Sequence, residues 1–270
     1  MFKDKRVIYI VIGIVAGLLS GLMGVGGGVI MVPLMVLLLP FTQHQAHGTS
    51  LAVVMFTAVV SAITYGWLGS IDFILALELA VGGMAGARVG ALWVNRIPAL
   101  QLRRIFGGFI FLVGLRMILP SPPAMAWLGH LGWLSVLVSV LIGLIIGMLS
   151  GMLGVGGGIV LVPTLVLLLG TQQHIAQGVS LVYMIPTAIV GAYTHYHKGN
   201  VIKSTVPWIV GASVLTAVIG SSLAHVLPAA QLREIFGVFL ALVGLQMALT
   251  KPAKKQKAEE KPIARAAAAR

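Results

Sequence analysis

The chain has 270 residues, of which 59% are hydrophobic and only 9% are charged, and its mean hydropathy is +1.04. Soluble domains carry about 25% charged residues, so this chain has too few charges to cover a surface that faces water. Transmembrane β-strands would show as short alternating segments, and the sequence has none. We therefore predict an all-α polytopic membrane protein.

The formal net charge is +12, and there is no cysteine. Disulfides and thiolate chemistry are therefore excluded. The basic residues lie between the apolar runs and in the tail, where they orient a membrane protein, so we expect a lipid bilayer around the chain and no nucleic-acid partner. Paired carboxylates, a nucleophile with a base, and a metal-ligand set are all missing from the pattern. We predict neither an enzyme nor a bound cofactor or metal.

An internal repeat organises the chain, with equivalent residues 130 positions apart, as in Gly21 and Gly151. The spacing also pairs Pro33 with Pro163 and His44 with His174, without a gap. The predicted divisions follow the chain: a cytoplasmic N-terminus at 1–6, a first repeat at 7–119, an extracytoplasmic linker at 120–136, a second repeat at 137–249, and a basic, disordered tail at 250–270.

Each repeat opens with a long apolar block, at about 7–40 and 134–170, interrupted by glycines. The two interruptions read "LLSGLMGVGGGVIMVP" and "MLSGMLGVGGGIVLVP". Three shorter apolar blocks follow in each repeat, at about 49–66, 72–94 and 105–119 in the first and 178–196, 204–227 and 235–249 in the second. The segments 41–48 and 171–177 are expected to be loops.

Loop charges predict how the blocks cross the membrane, because cytoplasmic loops are rich in Lys and Arg. The basic N-terminus, the loops 95–104 and 197–203 and the basic tail would all face the cytoplasm. Tracing the chain between them makes each long block a hairpin that enters and returns on the same side. Each repeat then has five segments, and an odd number makes the two repeats inverted. Both termini would be cytoplasmic, and the membrane would be the bacterial plasma (inner) membrane.

The returning arms, 29–40 and 159–170, span about 18 Å as helices, too short for a hydrocarbon core of about 30 Å. We interpret them as half-helices that begin inside the membrane, where unpaired N–H groups and a positive dipole end favour an anion. The alternative is that the glycines only allow close helix packing. The predicted substrate-binding residues combine the glycines with nearby serines: Ser20, Gly24, Gly26, Gly27, Gly28, Ser50, Ser150, Gly154, Gly156, Gly157, Gly158 and Ser180.

The motif "SGLMGVGGGVIMVP", its repeat at 150–163, the span openings "HGTSL" and "QGVSL", and "HYHKGNV" at 195–201 resemble the TauE/SafE sulfite exporter family, or TSUP permeases. The resemblance covers about 7–249. It implies two repeated membrane modules and transport of sulfite, sulfoacetate or a related small anion without nucleotide hydrolysis. It does not fix the anion, and it leaves a homodimer open.

Four further polar residues are candidates for gating or coupling: His44, His174, His195 and Arg88. Arg88 either takes part in gating or coupling, or extends its side chain so that the charge reaches the membrane interface. His195 either lines the path or satisfies a neighbouring backbone group, and His44 and His174 either line gates or cap loops.

Export is the predicted direction of transport, since an inside-negative potential favours anion exit by about 2.3 kcal/mol per charge at 100 mV. The alternatives are a proton-coupled uptake permease for a sulfonate or carboxylate, with Glu78 or a histidine as carrier, and an anion channel.

Overall fold

The computed structural model describes residues 5–93, 99–119 and 134–249, and within these ranges it consists of helices without strands. Ten helices follow in order: α1 Lys5–Met23, α2 Gly28–Leu38, α3 Gln43–Trp67, α4 Phe73–Trp93, α5 Ala99–Ile118, α6 Leu134–Leu153, α7 Gly158–Leu168, α8 Gln173–His197, α9 Val206–Val226 and α10 Ala229–Leu249. The all-α prediction is confirmed.

Each half of the chain contains five helices in the same order of lengths, as the repeat predicts. The long apolar block of each half is divided into two helices, and α2 and α7 have 11 residues each. At 1.5 Å per residue they span about 16 Å. The prediction of half-helices after each glycine cluster is therefore confirmed.

Four helices, α3, α5, α8 and α10, begin earlier than the apolar blocks predict, because their first turns contain polar residues. The segments 41–48 and 171–177 are mostly helical, since α3 begins at Gln43 and α8 at Gln173. In α3 a capping box explains the early start: the Gln45 N–H donates to Thr42 Oγ1 (3.2 Å), and the Thr42 N–H donates to Gln45 Oε1 (3.0 Å). This reciprocal pair satisfies two N–H groups that a helix start leaves open.

The histidines of these segments therefore lie in the first two turns of α3 and in the first turn of α8 rather than in loops: His44, His47 and His174. Likewise α5 and α10 each begin six residues before their apolar blocks at 105 and 235. The N-terminal segment 1–4, most of the linker 120–136, part of the loop 95–104 and the tail 250–270 lie outside the described residues, so the predictions made for them stay predictions.

The two halves interleave through helices packed at backbone distance. In α6, Gly143, Gly147 and Gly151 lie against α4 so closely that an added Cβ would meet the carbonyl oxygens of Leu79, Gly83 and Ala87 respectively. The glycines of α1 contact α9 in the same way at Gly13, Gly17 and Gly21, against Ile209, Ser213 and Ala217. In both pairs the residue numbers rise together, so the paired helices run parallel.

Equivalent helices of the two halves, by contrast, run antiparallel. The start of α3 meets the end of α8, where a Cβ on Gly48 would contact Asn200 and His195. In the other pair, Gly107 of α5 lies against Gly244 of α10, and Gly114 lies against Gly237. Inverted repeats require this direction of packing.

Seven of the described helices are long and apolar enough to cross a membrane: α1, α3, α4, α6, α8, α9 and α10. Helix α5 is not among them, because every 18-residue stretch of it contains Arg103, Arg104 and Arg116. It nevertheless packs along α10 through the contacts of its glycines. The chain is therefore a multi-pass membrane protein.

Candidate functional site

The site begins with two breaks in the backbone, at 24–27 between α1 and α2 and at 154–157 between α6 and α7. Three glycines in each break have φ between +65° and +89°, a region that L side chains rarely adopt. Among the described residues, the N–H groups of 25–29 and 155–159 donate no backbone hydrogen bond. Each break therefore presents a run of open N–H groups at the positive end of a half-helix.

The two breaks meet at the centre of the bundle. A Cβ on Gly28, the first residue of α2, would lie 2.9 Å from the Gly154 oxygen and 3.0 Å from the Val155 Cα. A Cβ on Gly158 would lie 2.7 Å from both the Gly24 oxygen and the Val25 Cα. The two half-helices therefore begin beside each other, each against the break of the other half. Close packing of helices alone does not account for these glycines.

Two serines hold this arrangement by reaching across the halves. The Ser50 hydroxyl donates to the Gly154 carbonyl (2.8 Å), and the Ser180 hydroxyl donates to the Gly24 carbonyl (2.9 Å). Ser50 and Ser180 lie about two turns inside α3 and α8, not at their heads. Both hydroxyl protons are donated to backbone carbonyls, so Ser50 and Ser180 brace the breaks, in the sense that each hydrogen bond fixes the break of the opposite half.

Ser20 and Ser150 are different, because each is almost fully buried and its hydroxyl has no hydrogen-bond partner. They lie in the last turns of α1 and α6, where their backbone carbonyls accept the N–H of Gly24 (2.9 Å) and Gly154 (2.8 Å). The Ser150 Cβ lies 3.4 Å from where a Cβ on Gly157 would be. A buried unpaired hydroxyl costs free energy, and both serines therefore keep an unused hydrogen-bonding group near the broken ends of α1 and α6.

The carbonyls at the broken ends of α1 and α6 are satisfied by side chains. The Tyr65 hydroxyl lies 3.0 Å from the Gly21 oxygen and 2.8 Å from Gln177 Oε1, and Gln177 Nε2 donates to the Leu22 oxygen (3.3 Å). These groups come from α3 and α8, the two helices that flank the break.

The second half uses His195, the repeat equivalent of Tyr65, in the same place. Its Nε2 lies 3.1 Å from the Gly151 oxygen, and its Nδ1 lies 3.3 Å from Asn200 Nδ2. A carbonyl only accepts, so Nε2 carries the proton and Nδ1 accepts from the amide. Of the two interpretations left open by the sequence, the structure has His195 satisfying a backbone group.

The remaining candidates lie outside the breaks themselves. His174 Nε2 contacts the Ala224 oxygen (3.0 Å) near the end of α9, and its ring packs against His225. His44 is half-buried in the first turn of α3, and Arg88 lies on an exposed face of α4. In the described part of the chain no group of His, Asp or Glu is arranged to hold a metal ion.

Val54 and Met184 also belong to the site, because Gly26 and Gly156 lie against both side chains. Several residues of the site were not predicted: Val54, Tyr65, Gln177, Met184 and Asn200. Apolar residues are common inside membrane spans, so nothing in the local sequence marks Val54 and Met184 as site residues. The repeat spacing does align them with each other, and that alignment was the one available indication. The polar residues of this set lie near the ends of the spans, where polar residues are common and do not by themselves indicate a site.

The family model described as sulfite exporter TauE/SafE matches residues 2–117 and 139–269. Similar proteins include the probable membrane transporter protein YunE of Bacillus subtilis, 25% identical over 89% of this chain and 96% of the relative. A probable membrane transporter protein of Haemophilus influenzae is 29% identical over 89% of this chain and 97% of the relative. No solved structure matches the chain. The chain belongs to the TauE/SafE family of membrane transporters.

Proposed function

We propose that this protein is a secondary transporter that exports small sulfur-containing anions, such as sulfite or organosulfonates, and binds them at the starts of α2 and α7. The observation that carries the proposal is the pairing of open N–H groups at each break with an unpartnered, buried serine hydroxyl. Hydrogen-bond donors at the positive end of a helix are a general means of anion binding. The name of the family, sulfite exporter, supplies the substrate class.

The packing of the halves supports an inverted arrangement. We propose that the membrane is the inner membrane and that both termini lie in the cytoplasm, as the basic residues between the apolar runs indicate. Antiparallel equivalent helices place the two breaks near the same depth, as the inverted repeats of many transporters do. An anion held there would need no bound cation to leave the cell, since a potential of about 100 mV drives each negative charge outward by about 2.3 kcal/mol. We therefore propose electrogenic export.

Thermal stabilisation of the purified protein by sulfite, thiosulfate, sulfoacetate and lactate is the first test, because a ligand specific for the folded state raises the melting temperature with its concentration. We expect stabilisation by sulfite or a sulfonate, and at least a tenfold weaker apparent affinity in Ser20→Ala and Ser150→Ala. Ser139→Ala is the matched control. It removes another buried, unpartnered hydroxyl, about 16 Å from Ser150 along α6.

If the apparent affinity falls equally in all three variants, the loss comes from general destabilisation of the fold, and this result contradicts the proposed site. Stabilisation by lactate alone would make the substrate a carboxylate.

Flux in vesicles then tests the direction and the mechanism. With the anion inside, an inside-negative potential should accelerate efflux, and the rate should saturate with concentration. An efflux rate that does not change with the membrane potential contradicts electrogenic export and favours the proton-coupled permease. Conduction without saturation identifies a channel.

A further inference from the structure

Two side chains occupy the space between the breaks, one from each half. A Cβ on Gly26 would lie 2.8 Å from both Met184 Sδ and Val54 Cγ1, and a Cβ on Gly156 would lie 2.9 Å and 3.0 Å from the same two atoms. Val54 and Met184 therefore each touch both breaks. They are also equivalent in the repeat, 130 residues apart, and both are fully buried.

These side chains share a helix face with the serines that brace the breaks. Val54 follows Ser50 by four residues in α3, and Met184 follows Ser180 by four in α8, so each pair lies on one side of its helix. The serine holds the carbonyl of the opposite break, and the apolar side chain fills the space one turn further along. The backbone of the two breaks therefore packs directly against this apolar pair.

The pair combines a stiff side chain with a flexible one. Valine is branched at Cβ and strongly restricted in χ1, whereas methionine is unbranched and has three rotatable bonds and a polarisable thioether. The two halves are therefore unequal at the point where they meet. Bulk can be accommodated by movement of Met184 but not by rotation of Val54.

We propose that Val54 and Met184 set the size of the anion that the protein accepts, with Met184 as the adjustable member. This inference rests on the proposed function. A ligand bound to the N–H groups of a break lies beside this pair, because Gly26 and Gly156 contact both side chains. The anionic group would face the backbone, and any organic part of the substrate would face Met184. The ligand class is a small sulfonate, and the size of its organic substituent is limited by the space that movement of Met184 makes available.

Transport of a size series tests this proposal: sulfite, methanesulfonate, ethanesulfonate and benzenesulfonate in vesicles. We expect Met184→Ala to raise the rate of ethanesulfonate or benzenesulfonate relative to sulfite by about tenfold or more, since a methylene or two in an apolar pocket changes selectivity by roughly 10- to 200-fold. The ratio of rates is the readout, because a general loss of active protein does not change it.

Met117→Ala is the matched control, as Met117 is equally buried but lies in α5 against α10, and its ratios should equal those of the wild type. If Met184→Ala does not fold, Met184→Val tests the same point with the residue found at the equivalent position. That variant should keep sulfite transport and shift the ratios in the same direction by a smaller factor, because valine is smaller than methionine but larger than alanine.

The outcomes separate the two proposals. Unchanged ratios in a folded, sulfite-transporting Met184 variant overturn the size-setting role and leave the anion site in place. Absence of both binding and transport for every anion in the wild-type protein overturns the proposed function, and the inference with it.

Discussion

At the scale of single residues, glycine is required at the breaks for two separable reasons, conformation and space. Gly27 and Gly69 have nearly the same backbone angle, with φ of +72° and +69°. A Cβ on Gly69 would meet nothing within 4 Å, whereas a Cβ on Gly27 would collide with the carbonyl oxygen of Ala16 in α1. The two positions therefore share the conformational requirement and differ in the steric one.

We predict that Gly69→Ala costs about 1 kcal/mol, the cost of a left-handed conformation for a residue with a Cβ. Gly27→Ala should cost about 1–3 kcal/mol more, because the backbone of α1 must also move. Apparent melting temperatures of the purified variants measure the difference. Equal destabilisation by the two changes would show that α1 and the break do not pack as closely as described.

At the scale of helices, the broken ends of α1 and α6 expose carbonyls inside the bundle, and the following long helices satisfy them. The Tyr65 hydroxyl contacts the Gly21 oxygen of α1, and His195 Nε2 contacts the Gly151 oxygen of α6. The two side chains differ in chemistry, but they and their acceptor carbonyls stand at equivalent positions of the repeat. A buried carbonyl without a donor is costly. The polar residues at the ends of α3 and α8 therefore have a structural reason to be there.

We predict that His195→Ala destabilises the protein by about 1–3 kcal/mol, since it leaves the Gly151 oxygen without its donor. His195→Tyr should recover most of that loss, because the equivalent Tyr65 makes the same contact. His197→Ala is the control, since His197 is two residues away, exposed, and packed only against Tyr193 and Tyr196 in the ring contacts described. No recovery in His195→Tyr would argue against the equivalence of the two caps.

At the scale of the whole molecule, the proposed inverted arrangement predicts that equivalent residues face opposite sides of the membrane. Trp67 and His197, the last residues of α3 and α8, are equivalent by the repeat and both exposed. The chain has no cysteine, so a single introduced thiol is the only one present.

In intact cells a membrane-impermeant maleimide should therefore label Trp67→Cys but not His197→Cys, and lysis should make both reactive. Labelling of both in intact cells would contradict the inverted topology. Retained transport by each variant is the control for correct folding.

The repeat, the breaks and the half-helices could be predicted from the sequence, because each depends on local signals. Apolar length decides whether a segment spans, and a glycine cluster such as 24–28 disrupts a helix regardless of its neighbours. The start of α3 has a local cause as well, since Thr42 and Gln45 form a capping pair that a hydropathy pattern assigns to a loop. Helix α8 begins at the equivalent position without a side-chain cap.

Only the tertiary structure decided which residues meet at the breaks. Ser50 was expected to donate to a ligand and instead donates to a carbonyl of the other half, 104 residues away. Val54 and Met184 became part of the site because two breaks from opposite halves pack against the same two side chains. The sequence by itself determined that there are two breaks, since chain conformation there is set by glycine. Their contact and its occupants depend on how the halves pack, which no local pattern encodes.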